Sequence, residues 1–414
     1  MKFKLTKDEK NWILYDVGNS AFTLLISTIL PIYFNYLAGN AGLSSVDYLA
    51  YWGYAASITT IIVALLGPIL GTLTDTKDYK KPIFIASIAL GAVGCLSLGF
   101  FKHWLLFLIV FIIAKVGYSS SLIFYDSMLA DVTDEDRMDQ VSSQGYAWGY
   151  IGSCIPFVIC LVIVLGADSL GLTMETAMGI SFFIIAAWWV GMTLPLLKSY
   201  EQKHYIEKKP QHAVSESFKR LGRTLISMRE QKHIFIFLLA FFFYIDGVYT
   251  IIDMATAYGS ALGLDSTGLL LALLVTQIVA FPFAILFGRL AHKTSTSKLI
   301  TVCICAYFGI AVYAYFLTSQ VQFWVLAVCV GMFQGGIQAL SRSYFTKIIP
   351  AERSGEYFGI YDICGKGAAF MGTFVVSLAS QITGSINTGV GTISLFFVVG
   401  LLLFRWSVKL QKKS

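Results

Sequence analysis

The sequence predicts an all-α polytopic membrane protein with twelve transmembrane helices arranged as two six-helix bundles. Hydrophobic residues make up 57% of its 414 residues and charged residues only 13%, whereas soluble domains carry about 25% charged residues. The apolar residues form continuous runs close to the roughly 20 residues that a helix needs to cross the hydrocarbon core. A membrane β-barrel would instead show alternating segments of about ten residues. The composition therefore excludes a soluble, coiled-coil or disordered protein.

The apolar runs divide evenly around one long polar segment. Residues 1–197 are predicted to form an N-terminal six-helix bundle, residues 198–232 a cytoplasmic linker, and residues 233–414 a C-terminal six-helix bundle. The predicted spans lie near residues 12–37, 49–73, 82–101, 104–129, 141–166, 176–197, 233–258, 268–290, 299–317, 321–346, 356–381 and 388–406.

Lysine and arginine residues indicate how these helices are oriented. All 30 except Lys102, Lys115 and Lys366 fall in the two termini, in every second loop, or at the matching ends of the spans. Basic segments stay on the cytoplasmic side, so we expect both termini in the cytoplasm. The expected location is a bacterial plasma membrane. The net charge of +6 therefore reflects orientation. No basic segment alternates with aromatic residues in a polar setting, so we expect no nucleic-acid partner.

No cofactor, metal site or catalytic centre is predicted. The seven cysteines lie inside apolar runs and form no CxxC pair, which is typical of small packing residues. The five histidines lie in loops or at span edges, without HExxH, Ser–His or other metal-binding spacing. We therefore expect a protein that is not an enzyme, and an integral membrane enzyme remains the alternative from a different class of function.

Matching loops in the two halves indicate an internal duplication. The loops after spans two and eight share three residues at a single offset of 217: Gly71, Leu73 and Lys81 against Gly288, Leu290 and Lys298. Asp136-Arg137 before span five has a counterpart in Glu352-Arg353 before span eleven, at an offset of 216. Because the two offsets differ by only one residue, these loops predict a repeated six-helix unit.

The segment Gly71-Thr-Leu73-Thr-Asp75, followed by Lys80 and Lys81, resembles the signature that the major facilitator superfamily carries after its second helix. The departures from that signature are Thr76, Asp78 and Tyr79, which replace a basic residue, a glycine and an arginine. The resemblance implies the major facilitator fold. In that fold spans one, four, seven and ten line a cavity, span eleven lies beside them, and spans three, six, nine and twelve face lipid. Asp75 is then suited to cap a neighbouring helix N-terminus.

Further segments resemble the vacuolar amino-acid effluxers and their bacterial relatives. They are Trp12-Ile-Leu-Tyr15-Asp16-Val-Gly-Asn19-Ser20-Ala-Phe22, Tyr125-Asp126-Ser-Met-Leu129-Ala-Asp131, Val141-Ser-Ser143-Gln-Gly145-Tyr-Ala-Trp-Gly149-Tyr150-Ile-Gly152, Gly335-Gly336-Ile-Gln338-Ala339-Leu-Ser341-Arg342-Ser343 and Phe358-Gly-Ile-Tyr361-Asp362-Ile-Cys-Gly365-Lys366. The chain departs from this group at Val17-Gly18, where Trp-Ala is usual, and at Asp126, where Asn is usual. The resemblance implies transport of an amino acid and leaves the identity of the solute open.

Three charged residues are predicted near mid-membrane, where an ionised side chain costs about 2.5–3.5 kcal/mol and marks a transport pathway. They are Lys115 on span four, Asp246 on span seven and Lys366 on span eleven. We expect them to surround one hydrated crevice and to bind the solute or carry protons. The residues expected to complete this pocket are Gln338, Tyr361 and Asn19. A permanent buried ion pair is the structural alternative for the two lysines.

A second set of charges lies closer to the cytoplasm and is predicted to form a gate. Its members are Asp16, Asp126, Arg342, Asp75 and Asp362. Ion pairs among them would break and re-form between conformations. Simple extension of the side chains towards the interface is the alternative for the first three. Asp253 lies near the outer edge of span seven, and we interpret it as structural.

These observations predict a secondary active transporter that moves a small polar solute by alternating access with proton coupling, as a symporter or an antiporter. An amino acid or a related zwitterion or anion is the expected solute. The expected partners are this solute, the proton and membrane lipids, and the chain is expected to be a monomer. A cation-coupled sugar symporter is the first alternative, because its first span is similarly acidic and rich in tyrosine. A lipid transporter is a further alternative.

Overall fold

A computed structural model describes residues 3–207 and 231–412 of the chain. The described residues contain twelve helices that are long and apolar enough to cross a membrane, and the predicted all-α polytopic fold is confirmed. Residues 208–230 of the predicted linker lie outside the described residues. The helices are α1 (Lys7–Asn40), α2 (Ser45–Thr74), α3 (Lys80–Ser97), α4 (Trp104–Ser127), α5 (Met138–Leu165), α6 (Met174–Ser199), α7 (Lys232–Ala261), α8 (Ser266–Ala291), α9 (Thr296–Tyr315), α10 (Gln320–Ile348), α11 (Ser354–Thr383) and α12 (Ile393–Gln411).

Local sequence explains where the first helix begins and where it deforms. Thr6 accepts a hydrogen bond from the backbone N–H of Glu9, and the Glu9 carboxylate accepts one from Thr6, which forms a capping box. Within α1, residues Leu25–Ile29 form a π-helical turn that the apolar pattern did not indicate. Pro31 follows this turn and cannot donate the backbone hydrogen bond that would continue a regular α-helix.

The first six and the last six helices form two bundles of related construction. In the first, α1 packs on α5 and α6, and α4 packs on α3 and α2; in the second, α7 packs on α12 and α11, and α10 packs on α8 and α9. The hydroxyls of Tyr15 on α1 and Ser121 on α4 are hydrogen-bonded at 2.6 Å. Those of Tyr244 on α7 and Ser341 on α10 are hydrogen-bonded at 2.7 Å. The same kind of contact thus joins corresponding helices in both halves.

The two bundles contact each other mainly through α2, α5, α8, α10 and α11. Helix α2 packs on α11, and α5 packs on α8 and α10. We call the side on which α1 begins and α12 ends the terminal side, because both ends of the described chain lie there. The charge pattern predicts that the terminal side is cytoplasmic.

A segment after α6 is fastened to the terminal side of the first bundle. The buried Asp131 carboxylate, in the short helix Leu129–Val132, accepts hydrogen bonds from Lys80 Nζ at 3.2 Å, the Tyr200 hydroxyl at 2.5 Å and the His204 backbone N–H at 2.9 Å. His204 Nδ1 lies 3.1 Å from the same carboxylate. Residues 200–207 therefore form a strap whose anchor is Asp131.

Because the strap is held by ionisable groups, we expect the stability of the folded protein to depend on pH. Burial alone would raise the pKa of Asp131, but Lys80 and hydrogen bonds from His204 and Tyr200 outweigh it and lower this pKa to about 2. The hydrogen bond to Asp131 raises the pKa of His204 above 6.5, although burial acts to lower this pKa. The charge of Glu352 also raises it, and the charge of Lys80 lowers it. The contribution of His204 to stability is thus fully present below about pH 6.5 and is lost as the pH rises through the raised pKa.

We expect the melting temperature of the wild type to exceed that of His204→Gln at about pH 6, with a difference that shrinks towards about pH 9. His292→Gln is the control, because His292 is exposed at the end of α8. A difference that is constant or that grows with pH would contradict the assignment of a protonated His204 to Asp131.

Candidate functional site

Arg342 joins the two bundles at the centre of the terminal side. It lies on α10 with 2% of its side chain exposed. Its guanidinium donates to Asp126 at 2.9 Å and to Asp16 at 3.4 Å, and also to the Ser142 hydroxyl at 2.9 Å. A buried cation between two carboxylates is stabilised only while those partners remain in place. We call these four residues the Arg342 cluster.

Aromatic rings enclose the same guanidinium. Its central carbon lies 4.3 Å from the ring centroid of Tyr146, 4.7 Å from that of Trp12 and 5.5 Å from that of Tyr125. Trp12 and Tyr125 stack on each other with centroids 4.4 Å apart. The rings exclude water and add cation–π attraction, so Arg342 is held by α1, α4 and α5 together. The predicted association of Arg342 with Asp16 and Asp126 is thus present, while no pattern in the sequence indicated the contact with Tyr146.

Asp139 organises a second contact between the bundles. This residue lies in the first turn of α5, and its carboxylate accepts hydrogen bonds from Ser343 at 2.5 Å, Thr296 at 2.7 Å and Lys347 at 2.6 Å. The partners lie on α9 and α10 of the other bundle. The sequence does not single out Asp139, because an acidic residue in the first turn of a helix also has an ordinary role in stabilising the positive end of the helix dipole.

Asp75 organises a third contact, at the start of α11. Its carboxylate accepts hydrogen bonds from the backbone N–H groups of Gly355 at 2.7 Å and Glu356 at 3.1 Å. Lys80 donates to the Ser354 hydroxyl at 3.1 Å. The capping predicted for Asp75 is therefore present, and it crosses from one bundle to the other.

The hydrogen bonds between the bundles that the structure describes all belong to the terminal side. They involve the Arg342 cluster, Asp139 and its partners, and the contacts of Asp75 and Lys80 around α11. The described conformation is therefore closed on the terminal side.

Four charged side chains lie deeper between the bundles and are only partly buried. Lys115 on α4 interacts electrostatically with Asp253 on α7 and with Lys366 on α11. Lys366 donates to Asp362 at 2.6 Å, one turn earlier on α11. Lys115, Asp362 and Lys366 are half-buried, and Asp253 is exposed. We call these four residues the central charges.

The depth of the central charges requires a hydrated space. Lys115 is about 16 Å from the start of α4, and Lys366 is about 18 Å from the start of α11. Ionised groups at such depth are stable only beside water or partner charges. Their partial exposure and their origin on α4, α7 and α11 indicate that they border a common space between the bundles, which we call the central space.

The structure separates Asp246 from the two lysines with which it was predicted to share a crevice. Its side chain is fully buried between α7 and α11. Oδ1 accepts hydrogen bonds from the Gly372 N–H at 2.9 Å and the Thr250 hydroxyl at 3.2 Å. Within the described residues Oδ2 has no partner. Asp253, which we interpreted as structural, is instead the α7 carboxylate that interacts electrostatically with Lys115.

The remaining predicted pocket residues differ in their surroundings. Tyr361 is buried and stacks on Phe241 and Phe345, with ring centroids 4.0 and 4.8 Å apart. Asn19 is buried and donates within α1 to the Tyr15 carbonyl at 3.0 Å and to Asp16 at 3.3 Å. Gln338 is half-buried on α10. In this conformation Tyr361 is a packing residue, and Asn19 orients the Asp16 carboxylate.

This architecture is the major facilitator fold. The crystal structure of the major facilitator superfamily transporter FucP in the outward conformation superposes with a TM-score of 0.74, at 16% identity, covering 97% of each chain. The crystal structure of the human organic anion transporter MFSD10 (TETRAN) gives a TM-score of 0.72 at 13% identity, covering 97% of this chain and all of that one. At these identities the likeness concerns the fold alone.

The amino-acid sequence also shows the family to which the chain belongs. The family described as "Vacuole effluxer Atg22 like" matches residues 6–136 and 130–414, so the chain belongs to it. The MFS-type transporter YxiO of Bacillus subtilis (strain 168) is 44% identical over 97% of this chain and 95% of its own length. Autophagy-related protein 22 of Coccidioides immitis (strain RS) is 22% identical over 84% of this chain and 70% of its own. The predicted resemblance to this family is confirmed.

Proposed function

We propose that this multi-pass membrane protein is a proton-coupled secondary transporter of an amino acid or a related zwitterion or anion, working by alternating access in a bacterial plasma membrane. The observation that carries the proposal is the set of central charges. Two lysines and two carboxylates from both bundles lie partly exposed at membrane depth. A neutral solute would not require these charges. The energetic cost of placing them inside the membrane is offset when a charged solute pairs with them.

The central charges include both signs, as recognition of a zwitterion would require. Lys115 and Lys366 would attract a carboxylate, and Asp253, which interacts electrostatically with Lys115, would attract an ammonium group. Charge-assisted hydrogen bonds of this kind contribute about 1.5–3 kcal/mol each. Asp253 therefore takes the role for which the sequence favoured Asp246.

Closure on the terminal side supports alternating access. With the termini in the cytoplasm, this conformation faces outward, and the Arg342 cluster, Asp139 and Asp75 form its cytoplasmic gate. These contacts are ion pairs, hydrogen bonds and a helix cap, which can separate without breaking the apolar packing inside each bundle. Opening the gate while the outer ends approach each other would expose the central charges to the cytoplasm.

Asp246 is the proposed proton-coupling residue. A carboxyl group that is fully buried, with one oxygen unpartnered among the described residues, is stabilised in its neutral form because burial disfavours charge. It accepts a hydrogen bond from the N–H of Gly372 on α11, so movement of α11 past α7 would change its environment. Proton binding would then be coupled to the change of conformation.

The test is transport in proteoliposomes, after a thermal-shift screen of the purified protein with single amino acids has selected the labelled substrate. We expect Lys115→Gln and Lys366→Gln each to lower exchange of this substrate by about 10- to 100-fold, the equivalent of one charge-assisted hydrogen bond. Lys102→Gln, in an exposed loop, removes the same charge outside the central space and should transport normally. Unchanged exchange in both central variants would refute the charge-based site.

A second arm of the same experiment isolates the proton. Asp246→Asn should retain exchange of substrate across the membrane but lose accumulation driven by an imposed pH gradient. If Asp246→Asn accumulated substrate as the wild type does, Asp246 would not be the coupling residue. Accumulation of a sugar driven by sodium, with no response to amino acids, would instead establish the cation-coupled sugar symporter.

A further inference from the structure

A groove between α9 and α12 opens on the terminal side and is lined by positively charged residues. Four cations line it: Lys298 from the first turn of α9, and Arg405, Lys409 and Lys412 from the end of α12. Ser297 and Thr301 line the same groove, and the Thr301 hydroxyl donates to the Ser297 carbonyl at 2.9 Å. The three α12 residues follow one another at spacings of four and three, which places them on one face of the helix.

The positive charge in this groove has no counter-charge among the described residues that line it. A second groove on the terminal side of the first bundle provides the contrast, since three lysines there stand beside three carboxylates. Its charged residues are Lys7, Lys198, Lys203, Asp8, Asp131 and Glu201. Ordinary positive-inside anchoring requires only that basic residues lie near a helix end. Convergence of four cations and two hydroxyl-bearing residues on one concave site is more specific than that.

The α9 N-terminus adds to the attraction for an anion. Ser295 is its N-cap residue, and its side chain makes no capping hydrogen bond. Backbone N–H groups of the first helical turn are thus left without a side-chain partner, and the helix dipole is positive at this end. The groove therefore presents donors from two helices to one negatively charged group.

The surface adjoining the groove towards the membrane is apolar. Val302 on α9 is 51% exposed and Leu402 on α12 is 64% exposed. Trp406, one residue after Arg405, is 52% exposed and has the amphipathic character that places tryptophan at the membrane interface. An anion that occupied the groove could therefore carry hydrocarbon chains that continue along α9 and α12.

We propose that the α9–α12 groove binds the phosphate of an anionic phospholipid from the surrounding bilayer. Lys298, Arg405 and Lys409 donate to the phosphate oxygens, Ser297 supplies a further hydrogen bond, and the acyl chains lie against Val302 and Leu402. Such pockets between transmembrane helices on the cytoplasmic side are suited to acidic headgroups. The bound lipid would hold α9 to α12 within the second bundle while the bundles rock.

The test compares melting temperatures of the full chain in nanodiscs of phosphatidylcholine alone and in nanodiscs that also contain phosphatidylglycerol. We expect phosphatidylglycerol to raise the melting temperature of the wild type, because a ligand that binds the native state stabilises it. The groove variant Lys298→Gln/Arg405→Gln/Lys409→Gln should lose this rise. The control variant Lys4→Gln/Lys10→Gln/Lys293→Gln should keep it, since it removes three exposed charges on the terminal side outside the groove.

Native mass spectrometry gives an independent readout on the same variants. The wild type and the control variant should retain a phosphatidylglycerol molecule that the groove variant lacks. Equal loss in both triple variants would show a general effect of charge and overturn the site. If inorganic phosphate in pure phosphatidylcholine gave the same rise as phosphatidylglycerol, the groove would be a site for a soluble anion, and the lipid proposal would be wrong.

Discussion

Replacing Arg342 by Gln is expected to destabilise the protein by about 3–5 kcal/mol and to abolish transport. Removing one partner of a buried ion pair leaves an uncompensated charge, and this cost is large. Asp16 and Asp126 would face each other across the space that the guanidinium now fills. Glutamine also loses the cation–π contacts with Trp12 and Tyr146.

Three companion variants separate charge from packing in this prediction. Arg289→Gln removes an exposed arginine from the last turn of α8 and should leave the melting temperature unchanged. Arg342→Lys keeps the charge but loses the planar group that stacks between rings, so an intermediate loss is expected. Adding Asp126→Asn to Arg342→Gln should restore part of the stability, because it removes one of the two unpaired carboxylates. Without any such recovery, the ion pair would not be the source of the loss.

The Arg342 cluster also shows what the sequence predicts well. Charged residues inside apolar runs are few. Because an unpaired charge inside the membrane is energetically costly, these residues are expected to pair with one another. Arg342, Asp16 and Asp126 stand near the same membrane face on spans ten, one and four, so their association follows from position alone. The twelve helices follow from run length for the same reason, because the bilayer sets the length of each span.

The different surroundings of Asp246 and Asp253 could not be predicted from their positions in the sequence. They are seven residues apart, so they lie on nearly the same face of α7, and periodicity cannot separate them. Their difference comes from α11, which packs against α7 so closely at Gly372 that an added Cβ would lie 2.3 Å from Asp246 Oδ1. Asp253 lies beyond this contact, where α7 borders the central space. The distinction depends on how two helices diverge, which local sequence does not encode.

The partners of Asp139 and Asp131 cannot be predicted from local sequence, for a related reason. Asp139 meets Thr296 and Ser343 from the other bundle, and Asp131 meets the strap around His204. Each acid has an acceptable local role near a helix end, so no local conflict signals the distant contact. Hydroxyl partners carry no charge and give no pattern in the sequence.

Replacing Gly355 by Ala is expected to shift the transporter away from the conformation that is closed on the terminal side. A Cβ at Gly355 would lie 2.3 Å from the Thr74 hydroxyl and 2.5 Å from the Gly71 carbonyl oxygen. These atoms belong to α2 on the other bundle, so the helices must separate to admit the methyl group. Overpacking of this kind costs about 1–3 kcal/mol, which changes the ratio of two conformations by about 5- to 150-fold.

The population shift can be measured as a distance between spin labels at Tyr79 and Glu352, on a background without the seven native cysteines. Gly355→Ala should populate a longer distance than the parent protein, because the label sites flank the α2–α11 contact. Gly309→Ala is the matched control: Gly309 lies inside α9, and nothing lies within 4 Å of its added Cβ. Identical distance distributions for Gly355→Ala and Gly309→Ala would mean that close approach of α2 and α11 does not set the terminal-side closure.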